Sequence, residues 1–204
     1  PKHLTFPLIV KSMTEEASLG ISLASIVEED EKLRERVDFI HNSESVGTPA
    51  LVERYIEGRE LYVGVLGNTR LQVLPIWELV LDNMPEDARK IATARVKWSD
   101  KYQKKYRIRS QEAEGLAPEL QQKIKRIAKR VYRHLALSGY ARIDFRLEEN
   151  EQNKVYVLEA NPNCQLAHDE DLAESAGRIS LSYKNLIQRI INFGLQLHKN
   201  HMRI

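Results

Sequence analysis

Arg142, Asp144, Glu159 and Asn161 are the residues whose types and spacing most readily do chemistry in this sequence. They lie in the stretch Tyr140–Asn163, YARIDFRLEENEQNKVYVLEANPN. Residue character alternates over Ala141–Leu147 and again over Val155–Ala160. The polar run EENEQN between them holds the turn formers Asn150 and Asn153, so the stretch predicts a β-hairpin. With Asn150–Asn153 as the connection, Glu149 faces Lys154. Counting back in steps of two then sets Asp144 opposite Glu159 and Arg142 opposite Asn161.

That register predicts a core face of Ile143, Phe145 and Leu147 with Tyr156, Leu158 and Ala160. Arg142, Asp144, Glu159 and Asn161 share the other face. Side chains directly opposed across strands have Cβ atoms ~4.5–5.5 Å apart, and like charges there repel. Asp144, Glu159 and the amide of Asn161 are hard oxygen donors, suited to a divalent cation such as Mg²⁺ that also holds phosphate. Arg142 beside them suits an anionic transition state. The same pattern also fits a surface hairpin whose polar side faces water, because the register depends on the length of the connection.

Other residues gain meaning from their order along the chain. Lys11 ends the apolar run FPLIVK, where a fixed positive charge could grip phosphate or simply reach solvent. The loop Thr14–Ser22 offers the Ser18 hydroxyl and the Gly20 backbone for covering phosphates, although Glu15 and Glu16 would repel an anion if turned inward. In ERYIEGRE, residues 53–60, a break between strands exposes backbone groups that can read an adenine edge, and Glu60 can accept a sugar hydroxyl. By composition alone it is a charged connector. The segment Arg95–Arg109, RVKWSDKYQKKYRIR, interleaves basic residues with Trp98, Tyr102 and Tyr106. It reads as a solvated face, as a single-strand nucleic-acid surface, or as a flap aiming Lys97 at a nucleotide. Gln165, His168, Asp169 and Asp171 follow the hairpin and are acceptor-site candidates. Cys164 has no base near it in sequence and reads as packing.

The elements that must position these residues are legible in the apolar spacing. Phe6–Lys11 predicts a buried strand. Leu33, Val37 and Ile40 predict a helical face with Asp30 as its N-cap. Ala50–Ile56, Glu60–Leu66 and Leu71–Leu81 predict strands, the last two joined by the tight-turn pair Gly67-Asn68. Ile91–Trp98 predicts a further strand. Leu120, Ile124, Ile127, Val131 and Leu135 predict a helix over Glu119–Leu137, with Pro118 in its first turn. Asp169–Gly177 predicts a short helix. Tyr183, Leu186, Ile187, Ile190, Ile191 and Leu195 predict a last amphipathic one. Mostly antiparallel strands with interspersed helices make an α+β fold.

Composition sets the outer bounds. The chain has 204 residues, 42% hydrophobic and 29% charged, enough for one large domain or two lobes and unlike a disordered chain. A net charge of +2 gives no reason to expect nucleic acid or a membrane surface. No apolar run reaches the ~20 residues of a membrane span, no signal peptide opens the chain, and the single Cys164 fits a reducing cytoplasm. Pro1 at the start of the chain reads as a fragment boundary.

Taken in order, these pieces resemble the ATP-grasp superfamily, and most closely its D-alanine–D-alanine ligase-like branch. The resemblance rests on the strand with Lys11, the loop to Gly20, VERYIEGRELYVGVLGN, the lysine of ARVKW, the strand ARIDF and the strand VLEANPN, spanning nearly the whole chain. It implies two lobes of mostly antiparallel sheet with helices and a nucleotide in the cleft between them, a small lobe over residues 1–75 and a large one over 76–204. It implies that Lys11, Ser18 and Lys97 bind ATP phosphates, that Glu53, Tyr55 and Ile56 form the adenine hinge, and that Glu60 holds the ribose. Asp144, Glu159 and Asn161 would bind one or two Mg²⁺ ions, with Mn²⁺ as a substitute. Arg142 and Lys97 would act in catalysis, and Gln165 and His168 would lie at the acceptor site.

The activity so implied is ATP-dependent carboxylate–amine ligation through an acyl phosphate, chemistry made of positioning and charge neutralisation. The implied partners are small-molecule carboxylate and amine substrates, a preceding N-terminal domain of the same protein, and a second copy in a homodimer. Two departures stand out. The family's preceding domain and an upstream nucleotide-contacting lysine are not in this sequence. The run NPNCQLAH lacks the glycine-containing pattern of D-alanine ligases and resembles the N-P-x-x-Q-x-x-H run of biotin-carboxylase-type enzymes, with Asn163 and Ala167 where those carry arginine and glutamate. The alternatives are an ATP-grasp enzyme with another nucleophile, a catalytically inactive ATP-binding module, and a single-strand nucleic-acid binder.

Overall fold

A computed structural model describes the chain except residues 1–3, 15–20, 44–46, 82, 86–90, 149, 151 and 202–204. The chain forms two compact units, residues 1–57 with 81–109 and residues 58–80 with 110–204. They do not divide at Pro75, which lies inside a continuous strand of the second unit. No helix among the described residues is long and apolar enough to cross a membrane.

In the first unit, β1 (Leu8–Ser12) pairs antiparallel with β2 (Ile26–Val27) on one side and β3 (Ala50–Arg54) on the other. Leu8 and Val10 point to one face, where they pack with Val27 and with Ile40 of α1 (Asp30–Asn42). Asp30 is the first helical residue and Glu29 the N-cap, one position earlier than expected; Asp30 still places negative charge at the helix N-terminus.

Residues 91–98 do not form the expected strand. Thr93 caps a short helix α2 (Ala94–Trp98), its hydroxyl accepting from the Val96 amide at 3.3 Å, and Ser99 caps α3 (Asp100–Tyr106) in the same way. Paired hydroxyl caps offer the local backbone a better arrangement than a ladder, a signal that apolar content hides.

The second unit is built on a five-stranded sheet ordered β6-β5-β4-β7-β8. Its strands are β4 (Arg59–Leu66), β5 (Gln72–Val80), β6 (Arg109–Glu112), β7 (Tyr140–Glu148) and β8 (Lys154–Asn161). Period-two alternation sorts its faces. Leu61, Val63, Val65, Ala141, Ile143, Phe145 and Leu147 form one core with Ile124, Ala128 and Tyr132 of α4 (Pro118–His134). The helix ends before the expected Leu137. Ala136 takes a left-handed φ of 49° and the Leu137 amide turns back to the Tyr132 carbonyl, so Leu135 is exposed.

Part of the opposite face packs under two helices. Leu66 and Leu74 pack under α5 (Asp171–Gly177) and α6 (Tyr183–His201), with Cys164, Leu172, Ala176 and Leu186. Gly64 makes this approach possible, because a Cβ there would stand 2.6 Å from the Leu172 Cδ1 and 2.7 Å from the Leu74 Cδ1. Ile191 and Leu195, expected on the buried stripe of α6, are exposed.

Candidate active site

The rest of that face carries the charges, and most of them are buried: Glu60, Tyr62, Asp144 and Arg146 are each less than a tenth exposed. Glu60 and Tyr62 of β4, Arg142, Asp144 and Arg146 of β7, and Glu159 and Asn161 of β8 meet there through alternation and register. Asp144 lies opposite Tyr62 on one side and Glu159 on the other, and Arg142 lies opposite Gly64 and Asn161.

The expected pairing holds at the chemical end of the hairpin but is reached differently. Glu148, not Glu149, pairs with Lys154, and a register shift between Asp144 and Phe145 restores Asp144 to Glu159. Phe145 thus pairs with Val157 and Leu147 with Val155. The core face of β8 is therefore Val155 and Ala160, not Tyr156 and Leu158; Leu158 is exposed and Tyr156 donates its hydroxyl to Glu148 at 3.1 Å. An extra residue on one strand kinks the ladder and re-aims the side chains beyond it.

Arg142 is the hub. Its Nε donates to Asp144 Oδ1 and its Nη2 to Asp144 Oδ2, both at 2.8 Å. Its Nη1 reaches Asp171 Oδ2 at 3.4 Å, and its guanidinium carbon lies 4.4 Å from the Tyr62 ring centroid. Asp171 is the first residue of α5 and also accepts from the Ser110 hydroxyl. Burial works against the charge on Arg142, but the Asp144 carboxylate and its hydrogen bonds more than offset this, so its pKa lies above the usual arginine range. Asp144 is 3% exposed. Burial pushes its carboxyl up to about 7 against the pull of Arg142, and Glu159 and Glu60 add to the rise.

Beside the hub, Glu60 accepts from the Tyr62 hydroxyl at 2.9 Å and from Arg146 Nη2 at 3.0 Å, while Arg146 Nη1 donates to the Gly58 carbonyl at 3.0 Å. Burial and the neighbouring carboxylates raise the Tyr62 phenol well above its ordinary range, so it stays a neutral donor. Tyr62 and Arg146 were not among the residues singled out from sequence. Their signal was present: Glu60-x-Tyr62-x-Gly64 and Arg142-x-Asp144-x-Arg146 each place polar groups at strand period beside a recognised one.

Asp144 and Glu159 are facing carboxylates of the hard-donor type, but both Asp144 oxygens accept from Arg142, and the Asn161 amide donates to Glu159 Oε1 at 3.0 Å. Among the described residues no group of three or more His, Cys, Asp and Glu side chains could hold a metal ion.

In the first unit, Lys11 and Glu53 share the face of the β1–β3 sheet opposite its core and form an ion pair. The Tyr55 amide donates to the Pro7 carbonyl at 2.9 Å, prolonging the β1–β3 pairing by one bond, so this N–H is already engaged. Ile56 follows β3 and is half-buried. Lys97 is half-buried on α2, its carbonyl taking a bond from Gln103 Nε2 at 3.1 Å. Tyr102 and Tyr106 pack on each other with ring centroids 4.7 Å apart. Ser18 lies outside the described residues. Of the acceptor candidates, the Gln165 amide faces the Glu170 carboxylate at 2.6 Å, and the His168 ring stands edge-on to Tyr183 at 5.1 Å.

Comparison with known proteins agrees with this architecture. Residues 1–192 match the family described as D-ala D-ala ligase C-terminus. The D-alanine–D-alanine ligase of Desulfotalea psychrophila is 31% identical over 97% of this chain and 56% of its own length, and that of Carboxydothermus hydrogenoformans is 29% identical over 95% and 56%. The chain thus spans little more than half the length of the curated relatives it matches. Solved D-alanine–D-alanine ligases share the fold: that of Bacillus anthracis complexed with ATP has a TM-score of 0.71 at 22% identity, covering 97% of this chain and 56% of that one. That of Coxiella burnetii has a TM-score of 0.73 at 19% identity, covering 97% and 47%. This chain belongs to the D-ala D-ala ligase C-terminal family, within the ATP-grasp superfamily.

Proposed function

We propose that the chain is the ATP-binding, catalytic part of an ADP-forming carboxylate–amine ligase. The observation that carries this reading is the charged cluster on one sheet face in which Arg142, gripped by Asp144, lies opposite Asn161 while Asp144 lies opposite Glu159. The family relatives named as D-alanine–D-alanine ligases support it.

A carboxylate oxygen of one substrate attacks the γ-phosphorus of ATP, the bond to the bridging oxygen breaks, and ADP leaves. The amine of the second substrate then attacks the acyl carbon, loses a proton, and expels inorganic phosphate. Arg142 orients and neutralises the phosphoryl group in flight, and Lys11 and Lys97 hold nucleotide phosphates. Glu53, Tyr55 and Ile56 take the adenine. Glu60, braced by Arg146 and Tyr62, takes the ribose. Asp144, Glu159 and Asn161 would hold Mg²⁺, which supplies charge neutralisation of the phosphates when bound. The remaining substrate contacts belong to a further domain of the same protein, in keeping with the greater length of the relatives.

The test is an ADP-release screen of the full-length protein with Mg²⁺-ATP against amino acids, D-alanine first, and small carboxylates. A ligase releases ADP and phosphate only with the right acceptor pair, and Asp144→Asn and Glu159→Gln abolish release. ATP binding with no turnover for any acceptor identifies an inactive module. Bicarbonate-dependent release identifies another nucleophile.

A further inference from the structure

We propose that Tyr62 is the positioning residue for Arg142, holding the guanidinium at its working place and tying it to Glu60. The inference rests on the ligase reading for its catalytic consequence, but its structural content stands by itself. Tyr62 is 5% exposed and lies directly opposite Asp144 in the β4–β7 ladder. Its ring face lies under the guanidinium of Arg142 at 4.4 Å, and its hydroxyl donates to Glu60 Oε1 at 2.9 Å. One side chain therefore touches two charged groups that make no direct bond to each other in this cluster.

Three directions are closed around Arg142. Asp144 takes its Nε and Nη2 edge, Asp171 takes Nη1, and the Tyr62 ring lies beneath the guanidinium carbon. Hydrogen bonds within the plane fix where the edges point, but they leave the plane free to tilt. A buried aromatic face removes that tilt, and a cation held over a ring away from water is where such contacts are strongest. The phenol is itself fixed, because Glu60 is gripped from its other side by Arg146 at 3.0 Å. The side chains form a continuous run, Arg146 to Glu60 to Tyr62 to Arg142 to Asp144, across β4 and β7. A group bound at Glu60 acts on Arg142 through one rigid ring.

The two contacts of Tyr62 can be separated. Tyr62→Phe keeps the ring and loses the bond to Glu60. Tyr62→Met keeps much of the volume and loses the face. In the isotope-labelled chain, the Nε–Hε signal of Arg142, identified by its loss in Arg142→Lys, should hold its shift in Tyr62→Phe. It should move or broaden in Tyr62→Met, because ring current and restraint are both lost. In the full-length enzyme, Tyr62→Phe should raise KM for ATP a few-fold with kcat within about twofold, and Tyr62→Met should lower kcat by about tenfold or more. Thermal melting of each variant checks folding; should Tyr62→Met not fold, Tyr62→Leu takes its place.

An Arg142 signal unchanged in the folded Met or Leu variant overturns the proposal, as does equal kcat in the Phe and ring-less variants. Absence of ADP release by the wild type with every acceptor pair overturns the ligase reading instead, and the resonance arm still decides whether Tyr62 holds Arg142.

Discussion

Asp144 and Glu159 stand directly opposite each other on β7 and β8, two carboxylates at neighbouring ladder positions. A pair of like charges so placed is destabilising unless a cation lies close. Arg142 is that cation for Asp144, and it gives Asp144 the Nε and Nη2 edge of its guanidinium.

Removing Arg142 should therefore cost more than the loss of its own contacts. Arg142→Met takes from buried Asp144 and from Asp171 the ion-pair partner each has among the described residues. We expect a loss of about 3 kcal/mol, in the range for breaking a buried pair from one side. In the double variant Arg142→Met with Asp144→Asn, the uncompensated charge is gone and much of the stability should return. Urea unfolding of the two variants checks this. Equal destabilisation in both would show that packing, not charge, is what Arg142 supplies.

Gly64 sets how closely α5 approaches the sheet, and hence where Asp171 meets Arg142. A Cβ at this position would stand 2.6 Å from Leu172 and 2.7 Å from Leu74, both buried. Gly64→Ala should lower stability by about 1–3 kcal/mol, the usual cost of overpacking. Leu172→Ala in the same chain should recover part of that cost, because it removes one of the two clashing groups. A thermodynamic cycle over the two sites should give a clear coupling between them.

Much of this arrangement was legible in the sequence because strands alternate. The pairs Asp144–Glu159 and Arg142–Asn161 were expected from two-residue periodicity with Glu149 facing Lys154; the ladder begins instead at Glu148–Lys154, and the bulge offsets that one-residue difference. The bulge was not legible. It depends on how Phe145, Val155 and Ala160 fit against the core, a three-dimensional packing choice, and it leaves Val157 and Leu158 exposed while keeping the chemical end in register. Residues 91–98 read as a strand because apolar content outweighed the hydroxyl caps Thr93 and Ser99, whose effect depends on backbone geometry. Tyr62 and Arg146 were overlooked because each looks like an ordinary strand residue until the neighbouring strand supplies its partner. Ser110, Asp171 and Arg142 meet only through folding, being distant in sequence.

Tyr132 should make the fold sensitive to alkaline pH. Its hydroxyl donates to the Gly67 carbonyl at 2.7 Å inside the α4 core, and burial raises the phenol to about 12. An unfolded tyrosine titrates near 10. Below that value the phenol is protonated in both states and its contribution to stability is fully present. As pH rises from about 10 the unfolded chain ionises while the folded one holds its proton, so the contribution is lost through about 12. Tyr132→Phe should cost about 1 kcal/mol at neutral pH through the lost hydrogen bond. It should also show a shallower fall in urea midpoint between pH 9 and 11.5 than the wild type. Parallel falls would mean that the phenol is not the titrating group.

Cys164 should be a reporter of local opening. It is 8% exposed, packed with Leu66, Leu172 and Leu186 beneath α5 and α6, and burial raises its thiol to about 11 despite the nearby Arg142. At pH 8 only about a thousandth of such a thiol is thiolate, the form that reacts. Iodoacetamide should therefore label the folded chain far more slowly than the urea-unfolded one. Because Cys164 shares its core with Leu172, Gly64→Ala should speed labelling by loosening α5, and adding Leu172→Ala should not restore protection, since it removes part of the cover. Labelling of the folded wild type at the unfolded rate would mean that α5 does not seal this core.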